Sequence, residues 1–135
     1  MHEITRKDLS EYRLTKANET LETAKRDLLA KDYASANNRA YYAVFHAMRA
    51  VLALDGEDYK KHSAVIARFT QLYLKTDIFP RELSKTISNA SLIRNRSDYE
   101  DFFICSNKDT EKLVKDAATF VNTMSEYLKD QYKHI

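Results

Sequence analysis

Apolar residues recur along this chain at steps of three and four, the spacing of one face of an α-helix. Leu14, Ala17, Leu21, Ala24 and Leu28 trace one such stripe and predict a first helix from about Thr5 to Lys31. Thr5 followed by Asp8 resembles a capping box at its start, with Asp in place of the usual Glu or Gln. Asp32 is placed to cap a second helix over about Tyr33 to Leu54, with Tyr41, Val44, Phe45, Met48, Val51 and Leu52 inward. Gly56 sits where its stop belongs. A shorter third helix is expected from about His62 to Lys75, facing inward with Val65, Ile66, Phe69, Leu72 and Tyr73. Pro80 suits the first turn of a fourth, whose apolar line of Leu83, Ile87 and Ala90 runs on to about Tyr99. Phe102, Phe103 and Ile104 are too few for a helix and are expected to pack as a bridging loop. A fifth helix opens near Asn107 or Lys108 and reaches about Lys129, burying Leu113, Ala117, Phe120, Val121, Met124 and Leu128.

Long helices with short connections favour antiparallel neighbours. The expected fold is therefore all-α, an up-and-down bundle of about five helices in one domain spanning residues 1–135. Composition agrees. The 135 residues include one Gly and one Pro, against average usage of about 7% and 5%. Glycine-loop nucleotide sites are excluded, and a many-turned β fold is disfavoured. With 44% hydrophobic and 31% charged residues the chain is too apolar for disorder. Twenty-two Lys plus Arg against twenty Asp plus Glu leave a net charge of +2, which decides nothing about nucleic acid. The single Cys105 excludes an internal disulfide and a Cys-based zinc site, and fits a reducing, cytoplasmic setting. The charged N-terminus has no apolar core of a signal peptide. The longest uncharged apolar stretch, Ala40 to Met48, is far below the ~20 residues of a membrane span.

Two features do not fit a bland bundle. On the second helix Arg39, Tyr42 and His46 step by three and four and so share a face beside the apolar stripe, with Asn38 and Arg49 flanking it. A solvated face with aromatic filler is one account. The other is a phosphate-facing strip, with Arg as fork donor, His as donor or proton carrier and Tyr as stacking or hydroxyl group. On the fourth helix the line Leu83, Ile87, Ala90 ends in Arg94, and Asp98 lies four residues on. The pair either finishes the helix as an i,i+4 ion pair or holds a guanidinium ready to grip an anion. Metal-ligand spacing, a Ser elbow and paired glycosidase carboxylates are absent, so neither metal nor cofactor is expected. His2 and His134 are read as disordered ends, His62 as a helix-start residue, and Cys105 as a buried small apolar group.

The stretch NRAYYAVFHAMRAVLAL (Asn38 to Leu54), followed by KHSAVIARF (Lys61 to Phe69), resembles the HEPN domain superfamily. More closely it is similar to small stand-alone bacterial and archaeal HEPN proteins. Those carry an Arg-Ala-Tyr-Tyr-Ala run with a following His, matched by Arg39 to Ala43 and His46. They also carry an Arg-x-x-x-Asp-Tyr motif, matched by Arg94, Asp98 and Tyr99. The resemblance covers about residues 10 to 130 and implies an up-and-down helical bundle. It also implies metal-independent ribonuclease chemistry: an Arg binds the scissile phosphate, a His four to six residues on moves protons, and a dimer brings two such motifs into one cleft. Here the window after Arg94 holds Tyr99, Glu100 and Asp101 and no His. A phenol with pKa near 10 is a poor general base at pH 7, although it can donate a hydrogen bond to a phosphate. His46 or His62 can supply a proton carrier only if the fold brings one to Arg94. The family further implies a small nucleotidyltransferase partner (MNT-type antitoxin) in a toxin–antitoxin or defence module, with Tyr99 as a candidate acceptor of AMP.

Three readings stay open. The first is a protein that binds RNA or a nucleotide through Arg39, Tyr42, His46, Arg94 and Tyr99, supported by Asp98, as a homodimer. The second is an active endoribonuclease toxin with a non-standard proton carrier. The third is a non-enzymatic helical interaction module.

Overall fold

The computed structural model describes residues 3–135, and the expectation for His2 lies outside them. Five α-helices follow in chain order: α1 (Arg6–Leu29), α2 (Tyr33–Leu54), α3 (His62–Phe69), α4 (Leu83–Tyr99) and α5 (Asn107–Tyr132). They form the all-α bundle. α1 and α2 make a helical hairpin, and α2 also packs on α3, α4 and α5, so it is the central element.

Local chemistry explains the helix ends. At the head of α1 the Thr5 hydroxyl accepts from the Asp8 backbone N–H, and the Asp8 carboxylate accepts from the Thr5 N–H, at 3.1 and 3.0 Å. The two bonds satisfy donors that no helix can satisfy internally. Asp32 caps α2 through the Ser35 N–H, and Ser106 caps α5 through the Asp109 N–H. α2 stops at Gly56, whose φ of 78° lets the Glu57 N–H reach back to the Leu52 carbonyl and its own N–H to Ala53. A Cβ there would also run into the Arg6 guanidinium at 2.5 Å.

Three expected boundaries shift. α3 widens after Phe69 into one π-helical turn, Thr70–Leu74, closed by the Lys75 N–H on the Thr70 carbonyl. Pro80 heads a separate tight turn, with Leu83 and Ser84 donating to Pro80 and Arg81, and α4 begins only at Leu83. α5 continues past Lys129 because Tyr132 still packs against the bundle. Its hydroxyl bonds that of Ser10 at 2.7 Å, and Ser10 in turn donates to the Ala50 carbonyl.

The core holds the predicted stripes. Leu14, Ala17, Leu21 and Ala24 meet Tyr41, Val44, Phe45, Met48, Val51 and Leu52, closed over by Val65, Phe69, Leu83, Ile87 and the α5 line from Leu113 to Leu128. Leu28, Ile66 and Leu72 lie at its margin. The bridging loop does not pack as expected: Phe102 is 99% and Ile104 86% exposed, and only Phe103 turns inward, under the Arg96 guanidinium at 4.4 Å. Phe102 sits at φ 62°, a left-handed conformation that a bulky residue rarely adopts. Cys105 is half-buried and accepts a weak bond from the Thr110 hydroxyl. His134 is not a loose end; it caps the α5 terminus on the Asp130 carbonyl at 2.8 Å.

Candidate functional site

Contact between α2 and α4 sets Arg94 against the aromatic strip of α2. The Arg94 guanidinium lies 4.9 Å from the Tyr41 ring centre and 5.6 Å from that of Tyr42. The Arg39 guanidinium lies 5.3 Å from the Tyr42 ring centre. Two arginines thus share one tyrosine ring and are at most about 11 Å apart. Contacts of this kind hold a cation in place at about 0.5–2 kcal/mol while leaving its N–H donors to other partners. Arg94 uses few of them. Its hydrogen bond from Nη2 to the Tyr42 hydroxyl is long at 3.4 Å. Asp98 stands 3.7 Å from Nε, an ion pair too long for a hydrogen bond. Nε itself is buried without an acceptor. Arg39 donates to Asn38 Oδ1 and pairs with no carboxylate among the described residues.

Two histidines flank the strip. His46 lies 6.0 Å from both the Tyr42 and Phe45 ring centres. Burial, followed by Lys16, Arg49, Arg39 and Arg13, holds its pKa down to about 4, so it is neutral at pH 7. His62 is the first residue of α3, and it does more than start a helix. Its ring stacks on Phe45 at 4.2 Å, and its Nδ1 lies 2.7 Å from the Tyr41 hydroxyl. Burial first, then Arg94 and Arg49, lower its pKa. Tyr41 is pushed up by burial, with Arg94 pulling the other way. The fold therefore gathers Arg94, Tyr41, Tyr42, Arg39 and His62 into one polar patch, with His46 beside it.

Tyr99 is elsewhere. Five residues after Arg94, it lies about 140° further round α4. It is 83% exposed and makes no hydrogen bond, ion pair or ring contact with the described residues. Chain spacing left His62 as a conditional proton carrier that only the fold could place; it reaches Tyr41 across 21 positions from the head of α3. No cluster of three or more His, Cys, Asp or Glu suited to a metal occurs among the described residues. No helix among them is long and apolar enough to cross a membrane.

Residues 10–127 match the HEPN domain family. The chain belongs to the HEPN family. A UPF0332 protein of Thermotoga maritima is 30% identical over 89% of this chain and 91% of its own length. A UPF0332 protein of Archaeoglobus fulgidus is 32% identical, over 84% of this chain and 90% of that one. A Methanocaldococcus jannaschii protein named as a candidate toxin is 29% identical, over 85% and 78%. The HEPN match contains every residue of the patch, from Arg39 to Arg94.

Proposed function

We propose that this HEPN protein binds RNA or a nucleotide by a phosphate held between Arg94 and Arg39, and that it is the toxin-like member of a two-component module. The observation that carries the reading is the state of Arg94. A half-buried guanidinium is fixed against two aromatic rings, has a long hydrogen bond to Tyr42, and keeps a buried N–H without an acceptor among the described residues. An arginine that only finished a helix would be expected to close on Asp98. A phosphate oxygen supplies the missing acceptor, and the Tyr42 hydroxyl supplies a further donor. The test is binding of a short RNA and of AMP, wild type against Arg94→Ala. The variant should bind more weakly by about 1–3 kcal/mol, the scale of a charge-assisted hydrogen bond. Equal binding would leave the patch as a dimer-stabilising surface.

His62 favours a second reading, cleavage. With Nδ1–H donating to Tyr41, its Nε2 can accept the proton of a ribose 2′-hydroxyl. The O2′–phosphorus bond then forms as the bond to the 5′-oxygen breaks, Arg94 and Arg39 face the developing charge, and the departing 5′-oxygen takes a proton from solvent. In EDTA, His62→Gln should abolish cleavage of a mixed RNA pool while binding persists, and His46→Gln should cut normally. Tyr99→His restores the family's spacing and raises cleavage only if position 99 can turn toward the phosphate.

The partner part of the proposal rests on the relatives named as candidate toxins and on exposure. A small nucleotidyltransferase would act as antitoxin by transferring AMP from ATP to the Tyr99 oxygen, whose phenol is open to solvent, with pyrophosphate leaving and the phenol proton passing to solvent. Tyr99→Phe should remove that acceptor and leave Arg94-dependent binding unchanged.

A further inference from the structure

The polar strip of α2 continues past His46 to Arg49, three residues on, so Arg39, Tyr42, His46 and Arg49 form one line about 15 Å long at 1.5 Å per residue. Arg13 of α1 meets its far end through Asp58, and Lys16, three residues on and exposed, shares that helix face. The charges of Lys16, Arg49, Arg39 and Arg13 all act on the His46 ring and, after burial, disfavour its protonation. One carboxylate answers them among the described residues. Asp58, in the loop between α2 and α3, accepts from Arg13 at 2.9 Å and from Arg49 at 3.0 Å on the same oxygen, Oδ1.

This pairing is incomplete. The Arg13 side chain is only 11% exposed and that of Arg49 22%, yet Nη1 of Arg13 and Nε of Arg49 are buried without an acceptor among the described residues. A buried guanidinium donor without a partner is costly, and a carboxylate oxygen shared between two forks leaves more donors than acceptors. Asp58 itself is 53% exposed on a loop, so solvent reaches the carboxylate that joins the two forks. A phosphate group brings more oxygens than a carboxylate and suits two converging forks better.

We propose that Arg13, Arg49 and Lys16 form a second anion subsite, in which Asp58 stands in for a phosphate of a single-stranded RNA running along α2 from the Arg39–Arg94 site. The inference rests on the phosphate-binding reading of that first site. Its ligand is a strand rather than a mononucleotide, because Arg39 and Arg49 stand ten residues apart, about 15 Å along α2. Asp58 competes with the strand and sets its affinity.

The test uses a fluorescein-labelled 12-nucleotide mixed-sequence RNA and a dinucleotide that carries one internucleotide phosphate. Asp58→Asn should bind the 12-mer about tenfold more tightly at low salt, the effect of one additional charge-assisted hydrogen bond. Its log K against log salt should steepen by about 0.7 for each further phosphate neutralised. Dinucleotide affinity should not change. Lys16→Glu, at an exposed helical position that folding tolerates, should weaken the 12-mer and spare the dinucleotide. If Asp58→Asn loses the loop, Lys16→Glu decides. Loss of binding in Arg94→Ala with no response to either substitution overturns the subsite and leaves the first site standing. Failure of the wild type to bind either probe overturns both.

Discussion

Arg94 holds its charge against two aromatic faces instead of in a tight ion pair, and the proposed phosphate site rests on that one residue. The same logic governs His46, which is kept neutral by burial and by four cations, with its pKa at about 4. The folded state binds that proton less tightly than the unfolded chain, whose histidine titrates near 6.5. The neutral ring's contribution to stability is therefore fully present above about pH 6.5 and is lost as pH falls towards 4. Denaturation midpoints should drop over that window in wild type and drop less in His46→Gln. A phosphate added beside Arg39 and Arg49 cancels part of the field that lowers the pKa. Proton NMR of the His46 ring should then show its titration moving upward when RNA is present; an unmoved titration would place the anion away from this strip. Much of this patch is legible in the sequence, because Arg39, Tyr42 and His46 lie at helical spacing and Arg94 ends an apolar line. His62 is legible only as a conditional candidate, and Arg13 and Asp58 are not legible, since each reaches the patch from a different element and only tertiary packing joins them.

At the scale of elements, boundaries are readable where a side chain performs the capping. Thr5, Asp32 and Gly56 each leave a local signature that spacing and residue type reveal. The head of α4 has no such signal: Glu82 makes no side-chain cap, and the chain makes a tight turn after Pro80 before Leu83 enters the helix. The end of α1 shows the effect of an imperfect signal. Lys31 takes φ 62° so that the Asp32 N–H can reach the Asp27 carbonyl, a role that glycine fills without strain. Its side chain is exposed and forms no ion pair with the described residues, so little is lost by removing it. Lys31→Gly should therefore raise unfolding stability by about 1 kcal/mol, seen as a higher urea midpoint at unchanged slope. Thr5→Ala should lower it by about 1 kcal/mol through loss of the capping bond. A destabilised Lys31→Gly would show that the lysine stem contributes more through packing than the backbone loses through strain.

For the whole molecule the unsolved element is the short connection between α4 and α5. Periodicity places apolar residues inside because most of them go there, but a pattern along one chain cannot say which of them serve a second chain. Leu92, Tyr99, Phe102 and Ile104 are 57%, 83%, 99% and 86% exposed, and all lie on the helix that carries Arg94 or just beyond it. Phe102 bears two costs at once, a ring left in water and a left-handed backbone that a bulky residue rarely adopts. Nothing within the described chain offsets either. A second copy offsets both if a two-fold contact brings the α4 ends together, and it would then set two Arg94 patches across one cleft. Sedimentation equilibrium at micromolar concentration should report about twice the 15.7 kDa chain mass. Phe102→Asp tests the cause. Asp tolerates the left-handed region far better than Phe and stays hydrated, so the isolated fold should be as stable as wild type or more so. Its sedimentation should fall to the single-chain mass, and cleavage or tight RNA binding that needs both patches should fall with it. A Phe102→Asp protein that still sediments as a dimer would move the interface to another face of the bundle, and a wild type that sediments as a monomer would leave each Arg94 patch to act alone.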